Sequence, residues 1–128
     1  MADERLVKKK YASVAFAQQT WTNGIGHAAK TNTIYNVNMN VTRVDVIINN
    51  PTANPTVTVT FADANGVAVI DGTNFATLAK NTKHIKLAKK ATADFTEVVL
   101  VGDITVTIDP SLDSSTNPLT VDVIFYGD

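Results

Sequence analysis

The sequence contains no cysteine, two histidines and two glutamates, and each shortage removes a class of chemistry. Without cysteine there are no disulfides, no thiolate nucleophiles and no zinc–thiolate sites. Imidazole acid–base or metal chemistry is confined to His27 and His84, and neither has a carboxylate or a second imidazole at a recognisable spacing. With Glu4 and Glu97 the sole glutamates, paired-carboxylate catalysis would have to rest on aspartates, most of which stand where turns require them. No H-E-x-x-H, G-x-S-x-G or P-loop string occurs. The expectation is a protein that is not an enzyme and that carries no metal and no cofactor.

Two further absences bear on location and partners. No apolar run approaches the roughly 20 residues that a helix needs to cross a bilayer. The opening Met-Ala-Asp-Glu-Arg-Leu-Val-Lys-Lys-Lys is charged and lacks the apolar stretch of a signal peptide, so synthesis and folding in the cytoplasm, with no membrane partner, are expected. The formal net charge of −1 provides no global field to concentrate nucleic acid, which is not an expected partner.

What the sequence does have is alternation. Val37, Met39 and Val41 alternate with asparagines, Val57, Val59 and Phe61 with threonines, Ile104, Val106 and Ile108 with threonines, and Val121, Val123 and Phe125 with Thr120 and Asp122. A period of two is the pattern of strands with one buried face. Between Val41 and Val44 the apolar parity passes from odd to even and continues through Val46 and Ile48, which predicts a bulge, bend or sheet-switching corner near Thr42-Arg43. Asn65-Gly66 between two apolar runs predicts a hairpin with a type I′ turn. Residues 75–93 fit a loop or short turn followed by a strand around residues 84–88. A short helical stripe through Phe75, Leu78, Ala79, Thr82 and Ile85 is the alternative.

At 128 residues the chain has the size of one domain, divided here into a charged N-terminal arm over residues 1–10 and a single β-domain over residues 11–128. Short strands separated by Gly, Pro and Asn turns predict an all-β, mostly antiparallel, two-sheet β-sandwich, jelly-roll or immunoglobulin-like.

Several residue groups are candidates for a site. Gly24-Ile25-Gly26-His27-Ala28-Ala29, with Asp45 further on, fits the letters of a dinucleotide fingerprint, but a strand rather than a helix follows it. Asp63, Asn65 and Asp71 are oxygen donors that could meet around calcium, although their spacing is not that of an EF-hand and turn formation accounts for them equally well. Trp21, Tyr11, Tyr35 and Tyr126 are scattered, which suits core or interface packing better than a sugar platform. Two lysine groups are the candidate interaction residues: Lys8, Lys9 and Lys10 on the arm, and Lys80, Lys83, Lys86, Lys89 and Lys90 further on. The second group is either a solvated strand face or a contact for an acidic protein surface.

Four segments are apolar on both faces: Val46-Ile47-Ile48, Val67-Ala68-Val69-Ile70, Val98-Val99-Leu100-Val101 and Val123-Ile124-Phe125-Tyr126. A monomeric two-layer sandwich cannot cover all of them, so a homo-oligomer is expected. The cysteine-free, Thr/Asn/Ala-rich composition, the charged arm and the ending Val121-Asp122-Val123-Ile124-Phe125-Tyr126-Gly127-Asp128 resemble small virion proteins of tailed bacteriophages. That resemblance implies a structural protein of the virion, made in the host cytoplasm. The implied protein is a trimeric capsid decoration or cement protein that binds the major capsid protein or other virion proteins and reinforces the particle. A tail or neck component is the first alternative, and a glycan- or calcium-binding module the second.

Overall fold

In the computed structural model, which describes residues 13–22, 26–91 and 98–128, the alternating segments form seven strands. These are β1 (Ser13–Trp21), β2 (Lys30–Ile48), β3 (Thr56–Ala62), β4 (Leu78–Ala79), β5 (Thr82–Leu87), β6 (Val98–Pro110) and β7 (Leu119–Gly127). Every pairing between them is antiparallel, so the protein is all-β as its alternation predicts. Among the described residues no α-helix forms. Within residues 75–91, the described part of the 75–93 segment, strands form rather than the helical stripe, and they follow a 3-10 turn, Gly72–Phe75, capped by the Asp71 carboxylate accepting from the Thr73 N–H.

Strand β2 organises the sheet. Its first half, Lys30 to Val41, pairs with β6; its second half pairs with β7 on one side and with β5 on the other. The strand therefore belongs to two sets, in the orders β1-β7-β2-β5 and β2-β6-β3-β4. At the changeover the register with β7 shifts between Val41 and Arg43. One extra residue exchanges the two faces of a strand. As a result Val37, Met39 and Val41 before the shift, and Val44, Val46 and Ile48 after it, all point into the same core. The parity change near Thr42-Arg43 is thus a bulge inside one continuous strand, and the expected two layers are linked through β2 into one hydrogen-bonded sheet. A second shift falls between Ile34 and Val37, where Asn36 takes a φ of 56° and its N–H donates to the Asp103 carboxylate at 3.1 Å.

The two sets curl to face one another across the core. Phe61 on β3 and Phe125 on β7, on strands that are not neighbours in the sheet, bring their ring centroids to 5.5 Å, and Phe75 meets Phe61 edge-on at 5.0 Å. All three are buried, together with the inward rows of β3, β6 and β7. These rows come from the Val, Ile and Phe positions of the alternating segments, whose burial is the main driving force for the fold.

The hairpin at Asn65-Gly66 forms with a different turn from the expected one. The Gly66 N–H donates to the Asp63 carbonyl at 3.0 Å, the Asp63 N–H donates to Val67 O at 2.9 Å, and only Gly66 has positive φ, at 80°. This is a type I turn closed by a left-handed glycine, not type I′, because the Asp63 carboxylate accepts from the Asn65 and Val67 N–H groups and holds Asn65 at negative φ. Beyond it, residues 67–70 make only isolated bridges and not the strand expected there.

The changeover in β2 is closed by the residues that follow β7. Asn40 and Asp128 exchange backbone hydrogen bonds at 2.8 and 3.0 Å, and a Cβ on Gly127 would overlap the Asn40 carbonyl. Replacing Gly127→Ala is therefore expected to cost about 2 kcal/mol or more, as an overpacked buried site does. Urea denaturation measures this, and an unchanged midpoint would show that the approach of the two strands is not a constraint.

Candidate functional site

The outer face of the β1-β7-β2-β5 set carries the chemistry that stands out. Because Val44, Val46 and Ile48 point inward, Arg43, Asp45 and Ile47 point outward. The register lays neighbours beside each of them. Asp45 lies between Ile124 and Ile85, Arg43 between Tyr126 and Leu87, and Ile47 between Asp122 and Lys83, while Phe16 stands opposite Ile124.

Strand β5 is inverted. His84 and Lys86 pair with Val46 and Val44 and so lie on the core side of the strand, where both are partly covered. Ile85 and Leu87 point outward and are 56% and 67% exposed. Phe16 at the opposite flank of the face is 52% exposed. Strands that border water normally show the reverse arrangement.

At the centre of this face Asp45 is fully buried although it points away from the core. Arg43 grips it with two hydrogen bonds, Nε to Oδ1 at 2.8 Å and Nη2 to Oδ2 at 2.7 Å, and Lys83 Nζ lies 3.6 Å from Oδ2. The guanidinium also lies over the Tyr126 ring, 4.5 Å from its centroid. The hydrogen bonds from Arg43 hold the Asp45 carboxyl below its ordinary pKa; burial opposes them, and the positive charges of Arg43 and Lys83 assist.

The outer face of the other set differs. Thr105 and Thr107 on β6 pair with Thr33 and Thr31 on β2, and Thr107 pairs with Thr60 on β3, which makes a hydroxyl-lined surface. Val99 and Val101, 70% and 68% exposed, lie at one end of it.

The lysines distribute unevenly. Lys8, Lys9 and Lys10 lie outside the described residues. Of the second group, Lys80 donates to Pro51 O at 2.7 Å, Lys83 stands over Asp45, Lys86 is on the core side of β5, Lys89 is 3.9 Å from Asp71, and Lys90 is exposed. The run is therefore not one strand face. Its members flank or occupy β5, which pairs only with β2 among the described strands, and lysines on such an edge obstruct pairing with a foreign strand.

The remaining candidates are placed apart from one another. His27 does have a carboxylate partner, contrary to expectation: its Nδ1 lies 2.6 Å from Asp113 Oδ1, across 86 residues of sequence, with both side chains about half exposed. Asp63 and Asp71 cap separate turns, and among the described residues no three His, Cys, Asp or Glu side chains gather around a point. Trp21 is buried, its Nε1–H donating to Ala28 O at 2.8 Å beside a pocket of about 160 Å³ bounded also by Thr22, Gly26 and Lys30. That volume is below the several hundred Å³ of ordinary ligand sites. After Gly26 the chain enters β2, so the fingerprint glycines precede a strand.

Removing Arg43 would leave the buried Asp45 carboxylate with Lys83, half exposed and 3.6 Å away, as its remaining cation. Arg43→Ala is expected to lower stability by about 2 to 3 kcal/mol in urea denaturation at neutral pH. A carboxyl with a depressed folded pKa contributes stability above its ordinary value of 3.8 and loses that contribution as pH falls through the lower folded value. The difference between the two proteins should therefore be constant from about pH 5 to 8 and shrink in stronger acid. A difference that persists undiminished at pH 2 would show that the carboxylate charge is not its source.

No protein-family model matches the chain, and no curated protein sequence matches it. Solved structures share its general shape at low identity. The cyanophage Pam1 capsid asymmetric unit is 16% identical with a TM-score of 0.49, covering 93% of this chain and 86% of that one. The EclA C-terminal domain, a sugar-binding protein, is 13% identical with a TM-score of 0.44 over 88% and 79% of the two chains. VP2 of infectious bursal disease virus is 10% identical with a TM-score of 0.38, over 94% of this chain and 38% of that one.

Proposed function

We propose that this chain is a structural protein of a virus particle, most specifically a capsid decoration protein that binds the particle surface as an oligomer and reinforces it. The observation that carries the reading is the inverted strand β5. It exposes Ile85 and Leu87 while directing His84 and Lys86 toward the core side, an arrangement suited to a sheet face covered by another protein. The sequence resemblance to small phage virion proteins supplies the kind of assembly, and the likenesses of shape to other solved structures are too distant to add weight.

The same proposal includes the finer architecture. Counting β2 twice gives eight strands in the orders β1-β7-β2-β5 and β2-β6-β3-β4, which is the neighbour order of a two-layer jelly roll with two consecutive strands fused through the bulge. Jelly rolls serve both viral capsid and lectin domains, so the architecture alone does not choose between adhesion and sugar binding. The buried Trp21 ring and the scattered tyrosines favour adhesion. The protein is read as non-enzymatic, since the surface pair His27–Asp113 has no nucleophile bonded to it among the described residues.

Co-sedimentation with purified phage capsids lacking their decoration protein tests the proposal. Saturable binding that raises the temperature of capsid disruption is expected. A protein that stays in the supernatant with every capsid tried, and whose Trp21 fluorescence responds saturably to a glycan or to calcium, would replace this reading with the binding-module alternative.

A further inference from the structure

We infer that the outer face of the β1-β7-β2-β5 set is where two copies of this chain meet, face against face across a two-fold axis. The inference deepens the proposed function, on which its setting in an assembly rests, by naming the surface and its occupant.

Three properties of the face point to a second copy. Its apolar groups stand at both flanks, Phe16 on β1 at one and Ile85 and Leu87 on β5 at the other. A two-fold axis lying in the interface parallel to the strands lays the β1 flank of one copy over the β5 flank of its partner, so that each apolar flank meets an apolar flank. Isologous contacts of this kind require such self-complementarity.

The face is also neutral, since Arg43 and Lys83 balance Asp45 and Asp122. A neutral face does not repel its own copy, whereas a strongly acidic or basic partner would find no complement on it. Moreover, Asp45 is already fully buried and doubly hydrogen-bonded within the single chain. Covering the face therefore adds no desolvation cost at Asp45, and Asp122, the other carboxylate on the face, already accepts from Gln18 Nε2 at 2.5 Å.

Size sets the strength of the contact. Four strands about 4.8 Å apart and six residues deep at about 3.3 Å each span roughly 400 Å² in projection. Side-chain relief raises the accessible area above this figure, toward the lower end of specific interfaces, where about 800 Å² per partner is standard. An interface at that lower end is expected to be weak and transient, with a dissociation constant on the order of micromolar, so the pair forms at the high local concentration of an assembly. The lysines along β5 obstruct pairing at that strand's own edge, so the face and not the β5 edge is the route of association proposed for this set. The arrangement gives two copies, not the three that the sequence resemblance implies.

Mass measurement by sedimentation equilibrium from about 1 to 100 μM tests this range of affinity. The wild-type chain should pass from monomer to dimer across it. Leu87→Asp, placed beside Arg43, and Ile85→Lys, placed beside Asp45, each put a charge where the neighbouring charge is opposite, so the fold tolerates them while the apolar flank is lost. Each should weaken dimerisation at least tenfold with an unchanged circular dichroism spectrum, and Thr60→Asp on the threonine face should leave it unaltered. A wild-type mass of one copy or of three, or a dimer indifferent to both β5 variants, overturns the inference. Capsid co-sedimentation is read separately. A variant-sensitive dimer that binds no capsid leaves the interface standing and removes the virion reading, and capsid binding with a variant-insensitive mass does the reverse.

Discussion

A single strand that must serve two facing sets of strands is the constraint on which this structure turns. From Val37 to Ile48, strand β2 keeps its apolar side chains in one core because its register with β7 slips by one at Val41–Arg43. Without the slip, Arg43 and Asp45 would enter the core and Val44 and Val46 would face out. The slip also requires β7 to run unusually close to β2 just beyond it, which is why a residue without a side chain stands at Gly127. Fold and surface chemistry therefore share one cause, since the same insertion that completes the core creates the charged pair on the outer face.

Much of this is readable from residue order because it is local. Parity across Val41 and Val44 announces the slip, and alternation around Val57, Ile104 and Val121 announces the inward rows. The hairpin is readable as well, but its turn type is not, since it depends on the Asp63 carboxylate choosing the Asn65 and Val67 N–H groups. What alternation cannot give is direction. Lys83-His84-Ile85-Lys86-Leu87 reads most simply as a strand with Ile85 and Leu87 inside. Only its register against Val44 and Val46 shows that they are outside. The His27–Asp113 contact is invisible for a similar reason, because it joins the loop before β2 to the loop before β7. The lysine run reads as one face in the sequence, but β5 sends Lys83 outward and Lys86 toward the core side.

The two outer faces give the molecule a polarity. Threonines on β2, β3 and β6 present hydroxyls and methyls to water, as β-branched residues on a solvated sheet commonly do. The opposite outer face combines exposed Phe16, Ile85 and Leu87 with an ion pair whose carboxylate, Asp45, is already buried within one chain. Buried ion pairs are poor sources of stability when compared with apolar replacements. Here the pair separates two apolar flanks and neutralises the middle of the face around a carboxylate already out of water.

The position of β7 carries a consequence for how the fold is reached. It is the last strand in chain order, yet it lies between β1 and the second half of β2. The native partners of β1, and those of the second half of β2 on that side, are therefore supplied by residues 119–127. The Gln18–Asp122 contact across 104 residues is a measure of that distance along the chain. Pairings of such sequence separation slow folding and lengthen the time for which a nascent chain can aggregate. The β1 edge of this set therefore cannot be completed before residues 119–127 are available, so its closure depends on long-range pairing more than the domain's modest size suggests.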